Sequence, residues 1–371
     1  MVALCSPIAV ITQLLLVLAS FSLLTCPPPA TPAGSREKVW AYSTENPFFT
    51  QEDVVELTLE LPVDNILNDR GATPGFHPAF IYYRDATAAT RTLAVQVKVR
   101  GNRRKDPTVC GFPPLLVKFP PESTPGHLFG PAAELKLITH CLSDTYTLRE
   151  YLVYKLYNTL TSISFRTRLC RITYRDARGR RSAMVHYAFF LENVSALALR
   201  NQAKEVPKQF FIGMENMDQT AMATMAVFQY MIGNTDWSVP YRHNIRVLTQ
   251  TQQSPPIPVP YDFDYSGLVM APYAVPPEQL GITSVRQRLF RGYDFPQLTY
   301  SVVRDLFNSR RAAMYTVYQS YPFLDQEEKE FATRYLDGFY KTLNDPKDFE
   351  RNIVRTGLIN GKRYTHVKGL K

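Results

Sequence analysis

The sequence lacks the short motifs that mark the commonest hydrolases, nucleotidases and metalloproteases. It has no Gly-x-Ser-x-Gly nucleophile elbow, no His-Glu-x-x-His helix and no Walker A loop. It also has no tract of Lys and Arg, no zinc-finger spacing and no aromatic RNA-binding motif, although its formal net charge is +9. We therefore expect the basic surface to attract nucleotide phosphates or acidic proteins, and we expect no nucleic-acid partner.

Cysteine is scarce in this chain. The sequence has five cysteines in 371 residues, and only Cys110, Cys141 and Cys170 lie beyond residue 34. An odd count argues against a dense disulfide scaffold, and no Cys-x-x-Cys or His-rich spacing suggests zinc. We expect one bridge, Cys110 to Cys141, if the compartment is oxidising. Three buried thiols are the alternative.

The N-terminal segment is predicted to be a leader. Residues 7–25 are almost wholly apolar, and three prolines follow at 27–29. No Lys or Arg precedes the run, unlike most signal peptides, and its length approaches the ~18 residues that span a bilayer. Cys26 lies where bacterial lipoproteins are lipidated. We predict an exported protein that is periplasmic, cell-surface or secreted, with membrane attachment through the leader or through a lipid on Cys26 as alternatives.

The first half of the remaining chain is predicted to be mostly β-structure. Thr92–Val99 alternates apolar and polar residues, which is typical of a half-buried strand. One amphipathic helix, Ser143–Leu160, interrupts the strands, because its leucines recur every four residues. The other predicted strands are Val54–Leu61, Ala79–Tyr83, Leu115–Phe119, Glu134–Ile138, Arg168–Tyr174 and Ala183–Leu191.

The second half is predicted to be mainly helical. Three helices, Ala221–Ile232, Phe295–Ser320 and Asp325–Leu343, accompany one hairpin, Asn244–Leu248 with Ile257–Tyr261. Such segregation predicts an α+β protein of two lobes with a cleft between them. We divide the chain into a leader with the start of a linker at residues 1–34, a β-rich lobe at 35–192 and a helical lobe at 193–371 that carries the catalytic and metal loops.

Polar residues are densest between positions 233 and 267. Asp236 follows a predicted helix end, Asn244 opens a strand, and Asp262 and Asp264 follow the next strand. Phosphoryl transfer needs a carboxylate that orients the acceptor hydroxyl and oxygen ligands that hold Mg²⁺. Each of these residues alone is explained equally well as a turn or cap residue, and His243 as a packing residue. Their joint order favours a catalytic site.

These motifs resemble the spore-coat CotH family of atypical protein kinases and, more distantly, HipA-type kinases. The likeness rests on GNTDWS and HN at 233–244 and PYDFDYSG at 260–267, and VKVRGN, LFG and FFLEN precede them in the same order. The resemblance implies a two-lobed protein-kinase-like fold with a β-rich N-lobe and a mainly helical C-lobe. It also implies that ATP and Mg²⁺ or Mn²⁺ are used to phosphorylate a protein hydroxyl.

The resemblance also implies roles for the polar residues. Asp236 is the catalytic base, Asn244 and Asp262 are metal ligands, and Asp264 is a second carboxylate at the metal. Asn244 follows Asp236 by eight residues. Because this interval is shorter in protein kinases, residues 239–241 must bulge out for these roles to hold.

A kinase also needs a lysine that contacts the phosphates and pairs with a helix glutamate. Lys136 precedes Glu150 by 14 residues, a suitable strand-to-helix interval, and Lys118 is the rival lysine. Glu150 is otherwise explained as the last residue of a capping box that begins at Thr147.

Further contacts are expected around the nucleotide and the acceptor. Arg100 either reaches a phosphate or supports the turn at Gly101. By fold analogy, Glu192 and Asn193 offer backbone groups to the adenine. A later cluster either holds an acidic or phosphorylated substrate or forms a solvated basic face. This cluster consists of Arg286, Arg288 and Arg291.

The sequence thus predicts an exported ATP-dependent kinase that acts on Ser, Thr or Tyr of an envelope or secreted protein. A non-catalytic surface or scaffold protein of the same fold is the second hypothesis, because the interval before Asn244 is long and ATP is scarce outside the cytoplasm. AMP transfer on the same fold is the third.

Overall fold

The computed structural model describes residues 46–119 and 127–362, which belong to one compact unit. The predicted leader, Cys26 and most of the predicted linker lie outside these residues, as do residues 120–126. In the described ranges, no helix combines the length and the apolar character that crossing a bilayer requires.

Seven strands form a closed barrel in the order β1-β2-β3-β4-β5-β7-β6. Neighbouring strands are antiparallel except β1 and β6, whose parallel pairing closes the barrel with Leu57 opposite Ile172. The strands are β1 Val55–Leu61, β2 His77–Arg84, β3 Thr90–Val99, β4 Leu115–Lys118, β5 Glu134–Ile138, β6 Thr167–Asp176 and β7 Met184–Leu191.

Alternating side chains fill the barrel. In β3, Val95, Val97 and Val99 are buried while the residues between them are exposed or half-buried, because successive residues of a strand point to opposite faces. Phe129 packs 5.0 Å from Phe48, between ring centroids, at the centre of this core. The barrel thus has its own apolar core. Burying one such side chain contributes roughly 1.5–3 kcal/mol to the free energy of folding.

Helix α2, Asp144–Asn158, packs between the barrel and the helices that follow. Its N-cap is Ser143, whose hydroxyl accepts a hydrogen bond from the Thr145 N–H at 3.2 Å. The alternative explanation of Glu150, a capping box that begins at Thr147, is wrong, because Thr147 Oγ1 donates to the Thr139 carbonyl and Glu150 lies in the second turn. The Glu150 side chain is therefore free of the helix start.

The second half of the chain is mainly helical. Helix α4 is almost wholly buried and ends at Gly233, whose φ is +67°. A Cβ there would lie 2.9 Å from the Val285 carbonyl, so the position requires glycine. The helices are α1 Val63–Asn68 in the first half, α3 Val194–Arg200, α4 Gln219–Ile232, α5 Gln297–Gln319, α6 Gln326–Asn344, α7 Pro346–Phe349 and α8 Arg355–Lys362.

A small antiparallel sheet lies among these helices, with strand order β10-β9-β8. Its strands are β8 Lys204–Glu205, β9 Ile245–Thr249 and β10 Ile257–Pro260. The β9–β10 hairpin matters for function, because it connects the two stretches that carry the polar motifs.

The structure confirms a β-rich region followed by a mainly helical one. A closed seven-stranded barrel, however, is not a typical kinase lobe, and this corrects the finer expectation of a kinase-like N-lobe. The division at residues 192 and 193 stays a prediction; β7 ends at Leu191 and α3 begins at Val194. The predicted disulfide is confirmed, since Cys110 and Cys141 are bonded with their Cα atoms 4.8 Å apart, and Cys170 is free and buried.

Candidate active site

The loop after α4 places Asp236. The side-chain oxygen of Asn234 accepts a hydrogen bond from the Asp236 N–H at 3.0 Å, which is a local turn typical of Asn. Asn234 is itself held by Gln229 near the end of α4, at 3.0 Å. The short segment between the end of α4 and Asp236 therefore has little conformational freedom. Asp236 itself is only 7% exposed.

The long interval between Asp236 and Asn244 folds back on itself. Ser238 and His243 form an antiparallel bridge in which each N–H donates to the other's carbonyl at 3.0 Å. The residues between them form a tight turn, and Asn244 returns to Asp236 with its Nδ2 3.0 Å from Asp236 Oδ2. The bulge that the spacing required is what the structure shows.

Asp236 has a second partner in His243. Nε2 of His243 lies 2.8 Å from Asp236 Oδ1, on the opposite oxygen from Asn244. This hydrogen bond to Asp236 raises the pKa of His243 above its ordinary value, although burial opposes the shift. The two partners fix the plane of the carboxylate.

The β9–β10 hairpin brings Asp262 beside this cluster. The Tyr261 N–H donates to the Asn244 carbonyl at 3.0 Å, so the start of one strand meets the end of the other. Asp262 has a φ of +63°, and its N–H donates to the Tyr154 hydroxyl of α2 at 2.8 Å. Phe263 anchors the turn, because it is fully buried with its ring 4.7 Å from that of Tyr154.

Arg104 occupies the centre of the acidic cluster. It follows β3 in a 3₁₀ turn, Arg103–Lys105, and is 7% exposed. Its Nη1 donates to Glu150 at 2.9 Å and its Nη2 to Asp262 at 2.6 Å, while Nε lies 3.2 Å from an oxygen of Asp264. One guanidinium thus bridges three carboxylates from α2 and the loop after β10.

The cluster sets the pKa values of its members in opposite directions. Burial raises the pKa of Asp264 well above its ordinary value and also raises that of Glu150, despite the attraction of Arg104. For Asp262, the opposing attraction of Arg104, then Arg100 and Lys136, outweighs burial and lowers the pKa. Asp262 is also the most accessible of the three, with its side chain 34% exposed. It is therefore the carboxylate most suited to meet a ligand.

The predicted metal ligands fit Mg²⁺ in part. Mg²⁺ is usually held by one or two carboxylates, with phosphates and waters completing its shell. Asp262 meets this need, and Asn244 bonds Asp236 through Nδ2, so its amide oxygen remains to hold a cation. Asp264 is tied to Arg104 and to the Tyr273 hydroxyl at 3.1 Å. Across residues 46–119 and 127–362, no group of three or more His, Cys, Asp or Glu is placed to hold a metal.

A basic patch lies next to Asp262, around the ring of Tyr261. Lys136 Nζ is 5.0 Å from the ring centroid, and the Arg246 guanidinium is 5.5 Å from it. Burial and the nearby charges of Arg100 and Arg246 lower the pKa of Lys136 to about 8. Arg246 is paired with Glu205 at 3.0 Å, and the like charges of Arg100 and Lys136 gain energy from an anion placed near them.

The expected pairing of Lys136 with Glu150 is wrong. Glu150 pairs with Arg104, and Lys136 instead lies over Tyr261. Lys118 is exposed on β4, with its Nζ 5.4 Å from the ring of Phe76. Arg100 and Lys136 are thus together in the basic patch, whereas Glu150 belongs to the acidic cluster.

The two residues expected at the adenine already have structural partners. The Glu192 N–H donates to the Arg166 carbonyl, and its carboxylate pairs with Arg200 at 2.8 Å. Asn193 caps α3 by accepting from the Ser195 N–H at 2.8 Å. The N–H of Glu192 is therefore engaged within the fold, and the adenine contacts of Glu192 and Asn193 stay a prediction.

The arginine cluster separates into three environments. Arg286 is exposed, and its Nε bonds Met270 Sδ at 3.0 Å. Arg288 lies 3.9 Å from the ring centroid of Tyr335 and donates to the Met231 carbonyl, which is a structural role. Arg291 donates to the carbonyls of Thr235 and Trp237, the residues that flank Asp236. Only Arg291 belongs to the site.

Sequence analysis missed Arg104, which is the residue that organises the site. It lies between Arg103 and Lys105, shortly after the turn at Gly101, and nothing in this local sequence marks it as buried. Its partners Glu150 and Asp262 are 46 and 158 residues away along the chain, so no local pattern connects them.

Comparisons with known proteins add a distant likeness. No family model matches the chain, and no curated protein matches it. Among solved structures the chain is similar to the proinflammatory kinase CtkA of Helicobacter pylori, with 12% sequence identity and a TM-score of 0.34, over 80% of this chain and 94% of that chain. A likeness at this level carries no functional conclusion, and CotH membership stays a prediction.

Proposed function

We propose that this protein is a CotH-like kinase that transfers a phosphoryl group from ATP to a protein hydroxyl, with Mg²⁺ or Mn²⁺ as cofactor. The observation that carries the proposal is the meeting of Asp236, Asn244 and Asp262 through the β9–β10 hairpin, beside the basic patch around Tyr261. An oriented carboxylate, oxygen ligands and anion-binding cations are the parts that phosphoryl transfer requires.

Asp236 is suited to act as the base. His243 and Asn244 each hold one of its oxygens, so the carboxylate is oriented before the acceptor arrives. A hydroxyl bound there donates its proton to Asp236 as its oxygen attacks the γ-phosphorus of ATP, and the bond from that phosphorus to the β–γ bridging oxygen breaks to release ADP. A fixed carboxylate accepts the proton without reorganisation.

Lys136, Arg100 and Arg246 are suited to hold the phosphates. They surround Tyr261, the residue before Asp262, so bound phosphates would lie next to the cation ligands. Asp262 and Asn244 would hold the divalent ion, with Asp264 as the further carboxylate. When bound, such an ion neutralises charge on the transferring phosphate. Arg104 already holds Oδ1 of Asp262, so the ion would bind the other oxygen of that carboxylate or displace the guanidinium.

A second candidate function is a non-catalytic scaffold of the same fold. Arg104 favours it, because a guanidinium that satisfies Glu150, Asp262 and Asp264 performs the charge neutralisation that a metal would otherwise supply. In that case the acidic cluster stabilises the fold and binds no nucleotide.

The proposed setting follows from the predicted leader. The acceptor would be an envelope or secreted protein, and the protein itself would be periplasmic, cell-surface or secreted, with the leader or a lipid on Cys26 as the attachment. These assignments extend the proposal and do not affect the chemistry at Asp236.

Labelling with ATP tests the proposal. The protein is incubated with Mg²⁺ or Mn²⁺ and ATP carrying the label at either the α or the γ phosphate. We expect transfer of the γ label only, lost in Asp236→Asn and Asp262→Asn and kept in Asp305→Asn, an exposed aspartate on α5. Transfer of the α label would mean AMP transfer instead. No transfer, together with no rise in melting temperature at millimolar ATP, would establish the scaffold function.

A further inference from the structure

A cavity of about 370 Å³ lies beside the loop that carries Asp236. Trp237, Ser238 and Pro240 form one wall, so the extra residues between Asp236 and Asn244 build part of it. Arg291 and, from α8, Ile359 contribute to other walls. The volume is at the lower end of the roughly 300–1,000 Å³ of ligand pockets, and it suits a pair of side chains.

Arg291 gives the cavity a positive charge that no carboxylate neutralises. In the described ranges it forms no ion pair within 4.0 Å, and its Nη1 is bound to the backbone carbonyls of Thr235 and Trp237. Burial lowers its pKa to about 10, opposed by the attraction of Asp236. A cation that is partly removed from water without a counter-ion gains energy when an anion reaches it.

The other walls are mostly apolar. Trp237 is 2% exposed, and its indole N–H has no hydrogen-bond partner in the part of the chain that the structure describes. Ile359 is 48% exposed, so the cavity has an apolar surface that a ligand could cover. The indole N–H is itself buried, so the features open to a ligand are the apolar walls and the Arg291 cation, which together select an apolar group next to an anionic one.

The cavity is also next to the proposed reaction centre. Trp237 immediately follows Asp236, and Arg291 binds the carbonyls on both sides of that aspartate. A peptide whose hydroxyl reached Asp236 would therefore place a neighbouring part of its chain at this cavity.

We propose that the cavity binds an acidic side chain and an adjoining apolar side chain of the acceptor protein, with Arg291 as the residue that selects the acid. The inference rests on the proposed function, because it treats the hydroxyl at Asp236 as the acceptor. It adds a substrate class, namely hydroxyl residues in acidic, partly apolar peptide sequences.

Binding of peptides tests the inference without catalysis. The probe is a set of fluorescein-labelled serine peptides containing Phe, in which Glu or Gln occupies each position around the serine in turn. We expect the full-length protein to bind the best Glu peptide about tenfold more tightly than its Gln partner, as a charge-assisted hydrogen bond predicts. Arg291→Gln should remove this preference, and Arg286→Gln, an exposed arginine outside the cavity, should keep it.

A second variant covers the case in which Arg291→Gln fails to fold. Ile359→Trp fills the cavity from a partly exposed position and should weaken every peptide while leaving the far-UV spectrum unchanged. A Glu preference that survives Arg291→Gln, undiminished peptide binding by Ile359→Trp, or the absence of a Glu preference in the wild type overturns the inference. A preference for Glu peptides without transfer of the γ label contradicts the proposed function alone. Transfer of the γ label without a preference for Glu peptides contradicts only the role of the cavity.

Discussion

Two arginines lie close to the proposed catalytic residues, and their charges are balanced in different ways. Arg104 is bound by Glu150 and Asp262 and lies 3.2 Å from Asp264. Arg291 is bound by two backbone carbonyls and, among the described residues, by no carboxylate. The charge of Arg104 is balanced by carboxylates, whereas the charge of Arg291 is not balanced by an ion pair among the described residues. The difference separates a charge that is balanced within the fold from one that we propose meets an acidic partner.

The energetic reason is desolvation. A buried ion pair need not stabilise a protein relative to apolar side chains, but removing one partner leaves the other charge buried and uncompensated. Removing Arg104 leaves three carboxylates without their positive partner, whereas removing Arg291 leaves no carboxylate unpaired. The predictions below test this difference, beginning with the largest expected effect.

Stability should separate the two arginines most clearly. Arg104→Met should lower the free energy of unfolding by about 3–5 kcal/mol, because Glu150 and Asp264 lose their counter-ion in a buried site. Arg291→Met should cost only about 1–2 kcal/mol, the loss of hydrogen bonds to carbonyls. Urea unfolding followed by circular dichroism measures both. Equal losses would remove the distinction between the two regions.

Cation binding should respond only to Arg104. Arg104→Gln should bind Mn²⁺ about tenfold more tightly than the wild type, because the positive charge that pairs with Asp262 and repels a cation is removed. Arg291→Gln should bind Mn²⁺ like the wild type. The free Mn²⁺ signal in electron paramagnetic resonance gives the affinity without nucleotide or turnover. Unchanged affinity in Arg104→Gln would show that Asp262 is not a cation ligand.

Lys136 is an intermediate case and gives a pH dependence. Its folded pKa is lowered to about 8 from an ordinary 10.5, so it is charged below pH 8 and loses its proton as the pH rises through 8. ATP affinity should therefore fall by about threefold to fivefold between roughly pH 7 and pH 9. Lys136→Arg keeps its charge and should flatten the profile. Isothermal titration calorimetry measures the ATP affinity at each pH. Equal ATP affinity of the wild type at both pH values would contradict the role of Lys136 in binding phosphate.

Salt should produce the smallest effect. Binding of the acidic peptide at Arg291 should weaken about threefold between roughly 0.05 M and 0.5 M sodium chloride, because Arg291 is only partly buried. The stability difference between wild type and Arg104→Met should stay nearly constant over the same range, since the Arg104 network is shielded from ions. Fluorescence anisotropy and urea unfolding provide the two measurements.

Local patterns predicted most of the elements. Thr90–Val99 and Glu134–Ile138 alternate or bury their side chains as strands do, and the four-residue repeat of leucines predicted α2. Short helices such as Val194–Arg200 were missed, because they contain about two turns and depend on a cap and on packing. The parallel closure of β1 on β6 was missed because pairing between strands so distant leaves no periodic signal.

In the candidate site too, features with a local sequence pattern were predicted, and contacts between distant residues were not. The order of Asp236, Asn244 and Asp262 was visible in the sequence because these residues lie at the ends of predictable elements. The partner of Glu150 was predicted wrongly. Lys136 has a suitable separation from Glu150 along the chain, but Arg104 is the residue that contacts Glu150 in the folded structure. A buried arginine in a run of basic residues looks the same in sequence as an exposed one.

The parallel seam between β1 and β6 has a consequence during synthesis. Val55 cannot meet Cys170 until that part of the chain has left the ribosome, so the first strand emerges long before its second neighbour. Until then the nascent sheet has a free edge able to pair with other chains. Completion of this seam should govern how fast a newly made molecule becomes resistant to aggregation, and a chaperone that shields the edge would act before residue 176 appears.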